Sequence, residues 1–187
     1  MIITKIHESN CFGTVKTKEY FSIDEHKGIM LDIGCGENKQ PNFVGMDKRD
    51  LAGIDIVHDL EEFPYPLPDE CCITIVGSHI VEHISPKVFI QFMDELWRIM
   101  KPNGQIAFSM PYGVSRGFIQ DPTHVNPCNE TTWQYFSPLY PLWQIYKPRP
   151  WRIEKGFPVY QITGLLEVLM RKMTIEETKK ILGEIEK

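Results

Sequence analysis

The chain has 187 residues, 42% hydrophobic and 24% charged, with a formal net charge of −5. That length and balance describe one globular domain with enough chain to bury a full core, and the acidic charge argues against a nucleic-acid partner, which needs clustered Lys and Arg. The five cysteines Cys11, Cys35, Cys71, Cys72 and Cys128 lack C-x-x-C spacing, no apolar run is long enough to span a bilayer and no signal pattern opens the chain, so a reduced, cytoplasmic setting without membrane contact is expected.

Residues 1–27 form a weakly patterned N-terminal extension, with a short strand over Met1 to Ile6 and a helical turn near Tyr20. From Gly28 the pattern sharpens. Ile29, Met30, Leu31 and Ile33 make an apolar run that ends in glycines, which predicts a buried strand entering a tight loop. Phe43, Val44 and Met46 predict a second strand ending at Asp47. A third runs from Ile54 to Val57 and ends near His58 and Asp59. Ile73, Ile75 and Val76 predict a fourth before Gly77 and Ser78. Ser85-Pro86 opens a helix, with Ser as the cap and Pro at the first helical position. Phe89, Phe92, Met93, Leu96, Ile99 and Met100 give it one apolar face, and Lys101-Pro102-Asn103-Gly104 stops it. Ile106, Phe108 and Met110 alternate as the next strand.

Residues 113–150 differ. Six prolines punctuate the segment, with Trp133, Tyr135, Phe136, Tyr140, Trp143 and Tyr146 between them. One short helix can start at Asn129. The segment reads as a substrate-covering insertion. The basic residues Lys147, Arg149, Arg152 and Lys155 read as a solvated loop. Strand-like text resumes at Trp151 to Tyr160 and Leu165 to Met173, and a helix from Thr174 to Glu186 closes the chain. Strands alternating with helices predict an α/β three-layer sandwich around a mostly parallel, twisted, Rossmann-like sheet of about seven strands, the last antiparallel. One domain is expected: residues 28–112 as the cofactor-binding half, 113–150 as the insertion and 151–187 as the final strands and helix.

A strand followed by Gly34-Cys35-Gly36 allows a ligand to lie against the main chain, although a tight turn explains the pair equally well. Asp47, one strand on, can accept hydrogen bonds from two ribose hydroxyls. Asp59 and the Leu60 amide, at the next strand end, can read the edge of an adenine. Three strand ends in order point to an adenosine-like ligand beyond the carboxyl ends of the strands.

Leu31-Asp32-Ile33-Gly34-Cys35-Gly36 resembles the first motif of class I S-adenosylmethionine-dependent methyltransferases, in their small type-11-like subgroup. Asp47 matches that family's ribose-binding acid. Val57-His58-Asp59-Leu60-Glu61-Glu62 resembles the adenine-binding segment. Ser78-His79-Ile80-Val81-Glu82-His83-Ile84 and Leu96-Trp97-Arg98-Ile99-Met100-Lys101-Pro102-Asn103-Gly104-Gln105 resemble the stretches after the fourth and before the fifth strand. The resemblance implies a methyltransferase that uses S-adenosyl-L-methionine and releases S-adenosyl-L-homocysteine. Its cofactor would be held by Asp32, Gly34, Cys35, Gly36, Asp47, Asp59, Leu60 and Ser78, and no metal is implied. Three features depart from the pattern. Glu37-Asn38 replaces the third glycine, Pro41 leaves room for at most one helical turn after the loop, and Ile73 stands where relatives carry an acid. The missing helix argues against a pyrophosphate-bearing dinucleotide, which binds at a helix N-terminus.

Methyl transfer needs aligned reactants, and a general base only where the acceptor carries a proton. His79, His83 and His124 are the candidate bases. Two other readings stand beside this one. A catalytically silent methyltransferase-like module fits the aromatic insertion as an interface. His79-Ile80-Val81-Glu82-His83 also matches H-x-x-E-H, a zinc-peptidase pattern that would place His79, Glu82 and His83 on a zinc hydrolase. The expected acceptor is a small or partly apolar molecule, with protein side chains and sugars as alternatives, and the expected state is a monomer or homodimer.

Overall fold

A computed structural model describes residues 2–4, 20–22 and 27–185. Strands β1 (Ile2–Thr4) and β2 (Tyr20–Ser22) pair antiparallel by themselves. The helical turn expected near Tyr20 is therefore replaced by a strand. The rest of the N-terminal extension lies outside the described residues.

The main sheet contains β3 (Ile29–Ile33), β4 (Val44–Asp47), β5 (Ile56–Val57), β6 (Cys72–Ser78), β7 (Met100–Pro111), β8 (Trp151–Ile153), β9 (Val159–Tyr160) and β10 (Leu165–Lys172). Its order is β5-β4-β3-β6-β7-β10-β8, with β9 paired to β10. β3 through β7 pair in parallel, and β10 is antiparallel to β7, β8 and β9. The mostly parallel Rossmann-like sheet is thus present, with eight strands. The single strand expected from Trp151 to Tyr160 is two short ones.

Helix α1 (Phe89–Ile99) buries Phe89, Phe92, Met93, Leu96 and Ile99 against one face of the sheet. Burying each such side chain contributes about 1.5–3 kcal/mol, which holds α1 far more firmly than its own propensity would. It begins three residues later than Ser85-Pro86 suggests: Val88 is the cap residue, and Ser85 Oγ accepts only a long 3.4 Å bond from Lys87 N. Two short helices, α2 (Arg116–Ile119) and α3 (Glu130–Gln134), follow β7. Asn129 caps α3 through a reciprocal capping box with Thr132. α4 (Trp143–Tyr146) and the closing helix α5 (Ile175–Ile185) complete the set.

The expected insertion divides in two. Trp133, Phe136 and Trp143 are buried, and Trp133 packs on Phe89 and Phe108 beneath α1. These aromatics build the core, whereas residues 115–124 border a cavity. The connections 34–43, 48–55 and 58–71 carry no helix, and the first two run over the face opposite α1. Val76, Ala107 and Leu169 lie side by side there and stay half-buried. A buried carboxylate anchors the longest of these connections instead. Glu95 on α1 accepts from Tyr65 N at 2.6 Å and from Arg98, which also reaches Asp69 and the Tyr65 carbonyl.

Candidate active site at the carboxyl ends of the strands

The glycine loop closes back on β4. Gly34 N donates to the Met46 carbonyl at 2.8 Å, and Gly34 and Gly36 both take left-handed φ values of 62° and 54°. A Cβ on Gly34 would stand 2.6 Å from Ile80, so only glycine fits between β3 and the residues after β6. Asp32 accepts from Gln40 N at 2.8 Å and ties down the far end of the loop; burial pushes its carboxyl up, against the pull of that bond and of Lys39.

Asp47 is buried, and its carboxylate is already engaged. Oδ2 accepts from Gly36 N at 2.9 Å; Oδ1 accepts from Arg49 N at 2.9 Å and Arg49 Nε at 3.2 Å. Burial raises this carboxyl, but those donors together outweigh it and hold the group below the usual carboxylate range.

A cavity of about 400 Å³ opens over these strand ends, within the size range of ligand sites. It brings together Gly34, Asp47, Asp59 and Leu60 with Arg49, Ile80, His79 and His83. Asp59 Oδ1 accepts from Glu61 N at 3.0 Å, and the Leu60 carbonyl accepts from the Tyr65 hydroxyl. Asp32 and Ser78 line a different space, a groove of about 310 Å³ shared with Ala107, Ser109 and Leu169. Gly36 meets the cavity through its amide on Asp47. Cys35 sits behind the loop, its thiol pushed up to about 11 by burial and by the carboxylates of Asp32 and Asp47.

A second cavity, of about 550 Å³, adjoins the first. Arg116, Gln120, Asp121, His124 and Tyr160 line it, and His79 and His83 line both cavities. The backbone explains that placement. β6 ends at Ser78, His79 turns into the left-handed region at φ 53°, and a single 3-10 turn, Val81–His83, follows. His79 and His83 therefore share no α-helical face, and the helical spacing needed for an H-x-x-E-H zinc pair is missing.

The same turn gathers an acidic and imidazole cluster. His79 Nδ1 lies 3.2 Å from Glu82 Oε1; the Glu82 side chain is 1% exposed, and its Oε2 has no hydrogen-bond partner among the described residues. His124 Nδ1 meets the Phe118 carbonyl at 2.9 Å. His83 and His124 stack edge to face with ring centroids 4.8 Å apart. The 115–126 stretch is tied to the turn through its backbone, since Val125 N and Asn126 N both donate to the Glu82 carbonyl. Sequence reasoning missed Arg49, Ile80, Asp121, Thr123 and the burial of Glu82. Asp121-Pro122-Thr123 carries a readable turn signal; the contacts of Arg49 and Ile80 exist only in the fold.

No family model matches the sequence, and no curated protein matches it. Solved structures do match in shape. A SAM dependent methyltransferase from Archaeoglobus fulgidus aligns with TM-score 0.56 at 19% identity, covering 78% of this chain and 86% of that one. One from Aquifex aeolicus gives 0.52 at 16%, covering 81% and 90%. The [4+2]-cyclase SpnF gives 0.53 at 13%, covering 79% and 75%. On strand order, direction and these likenesses, the chain has the class I S-adenosylmethionine-dependent methyltransferase fold.

Proposed function

We propose that the protein transfers a methyl group from S-adenosyl-L-methionine to a small polar acceptor in the cytoplasm, releasing S-adenosyl-L-homocysteine. The observation that carries this reading is that His79 and His83 line both cavities, so two ligands would meet at one wall. In the first cavity Gly34 lines the wall beside Ile80, Asp47 offers its carboxylate to a ribose, and Asp59 with Leu60 offers an adenine-reading pair. Gly36 and Cys35 support the loop; Asp32 and Ser78, from the adjoining groove, border its methionine end. Bound there, the cofactor supplies an electrophilic methyl on a sulfonium.

The residues of this chain then orient the acceptor. Arg116, Gln120 and Asp121 favour a polar or anionic molecule over an apolar one. His79 is the favoured base. Its Nδ1–H donates to buried Glu82, which orients the ring and leaves Nε2 to take a proton. His83 and His124 complete the wall. Calorimetric titration with S-adenosylmethionine tests the cofactor site; the expected result is binding that Asp47→Ala weakens. With an acceptor identified by product mass spectrometry, His79→Gln should lower kcat about 10²–10⁴-fold.

A second reading, a silent module on the same fold, is favoured by one contact: the Arg49 guanidinium already satisfies Asp47. The same titration separates them. Absence of cofactor binding would leave the silent module.

A further inference from the structure

Among the described residues, Glu82, His83 and His124 each present one ligand atom within 4.8 Å of the other two. The hydrogen bonds around them decide which imidazole atoms remain free. His124 Nδ1 faces a carbonyl oxygen, which can only accept, so that nitrogen carries the proton. The Thr123 hydroxyl donates to Asp121 Oδ1 at 2.7 Å, so its 3.2 Å contact with His83 Nδ1 uses the ring proton. Nδ1 of each ring is thus used as a donor, and Nε2 is the atom each neutral ring has left to ligate. The Nε2 of His124 stands 4.0 Å from Glu82 Oε1 and 3.7 Å from Asp121 Oδ2. Glu82 Oε2 is buried without a partner among the described residues. An unmatched buried carboxylate oxygen is costly. A divalent cation held among the three ligand atoms would offset that buried charge.

From this cluster we infer a divalent metal site made by Glu82, His83 and His124. Two imidazoles and one carboxylate, with coordination positions left open, suit zinc and its first-row neighbours and do not suit magnesium, which prefers an all-oxygen shell. The outer contacts have the form that metal-bound histidines require: His124 holds a backbone carbonyl, and His83 reaches Asp121 through Thr123. His79, on Glu82 Oε1, is left out of the shell. The open positions would face the second cavity, where an acceptor hydroxyl or carboxylate could bind the metal. That consequence rests on the methyl-transfer reading; the metal site itself does not. The resemblance implies no metal, so the inference comes from geometry alone.

The test is calorimetric titration of the metal-stripped, untagged full chain with Zn²⁺ and separately with Mg²⁺. We expect one equivalent of Zn²⁺ to bind, with Mg²⁺ at least 100-fold weaker. His83→Ala and Glu82→Gln should each weaken Zn²⁺ more than tenfold, and Asp121→Asn, outside the shell, about tenfold. His58→Ala, whose ring bonds the Glu62 carbonyl, should change nothing. Melting curves without metal verify folding, and His83, partly exposed, carries the test if the Glu82 variant misfolds. Zn²⁺ binding that is absent, shared equally by all variants, or lost in His58→Ala would overturn the site, as would Mg²⁺ binding as tightly. Cofactor titration of the same samples is a separate readout, so failure of either idea is seen without the other.

Discussion

Replacing Gly34 by alanine should expose how tightly the cavity beyond the strand ends is built. Two costs add. A non-glycine residue in the left-handed region at φ 62° costs about 1–2 kcal/mol. The new Cβ would also stand 2.6 Å from Ile80 Cδ1 and Cγ1 and 3.0 Å from its Cβ. That contact involves the stem of the side chain as well as its tip, and a β-branched residue has few rotamers to retreat into. Pushing Ile80 off its rotamer costs about 0.5–1.5 kcal/mol more. The total is about 1.5–3.5 kcal/mol, and at about 2–4 °C per kcal/mol for a chain of this size the melting temperature should fall by roughly 3–14 °C. Gly53→Ala is the matched control: its φ is 87°, and a Cβ there meets nothing within 4 Å. It should show the backbone cost alone, and the difference, about 1 kcal/mol, measures the Ile80 contact. Thermal unfolding followed by circular dichroism reads both. Equal shifts for the two variants would refute the packing of Ile80 on the loop.

Cys35, its thiol raised to about 11, should resist iodoacetamide at pH 7–8 and react only as the pH approaches that value; rapid labelling at pH 7 would contradict its placement between two carboxylates. Glu177 is held below its ordinary value of 4.5 by hydrogen bonds from Arg171 and then Arg152, with burial opposing them. A depressed carboxyl contributes stability above its unfolded pKa and loses it as pH falls through the folded one. Glu177→Gln should therefore cost about 1–2 kcal/mol at pH 7 by urea unfolding, a gap that closes in acid; a gap that widens in acid would reverse the sign argued here. Trp133→Ala, at a fully buried site, should cost about 3–5 kcal/mol, and a loss under 1 kcal/mol would show that the insertion is not core.

The strands from Ile29 to Val57 are readable because each ends on punctuation: Gly34, Asp47 and Asp59 mark where apolar runs stop. The helix at Phe89–Ile99 was readable from its stripe, though its start was not, because tertiary contacts rather than Ser85 set the first turn. Gly34, Asp47, Asp59 and Leu60 line one cavity, since consecutive parallel strands must deliver their ends to one edge. Asp32 and Ser78 line a separate groove, on a sheet face that takes no helix from the 34–43 connection. What the sequence hid is long-range. Trp133 reads alike as lid or core, and pattern alone does not separate them. His124 lies 42 residues from Glu82 by numbering, and only the bonds from Val125 and Asn126 bring it there.

Those two backbone bonds have a thermodynamic consequence. The peptide that walls the first cavity is the one to which the border of the second is fastened. A ligand that stiffens the turn at Val81–His83 also stiffens residues 121–126, lowering the ordering cost for whatever enters next door. The two affinities must then rise together and by the same factor in either order of addition. Titrating S-adenosylhomocysteine with and without acceptor measures that factor, and a value of one would mean that the shared peptide transmits nothing.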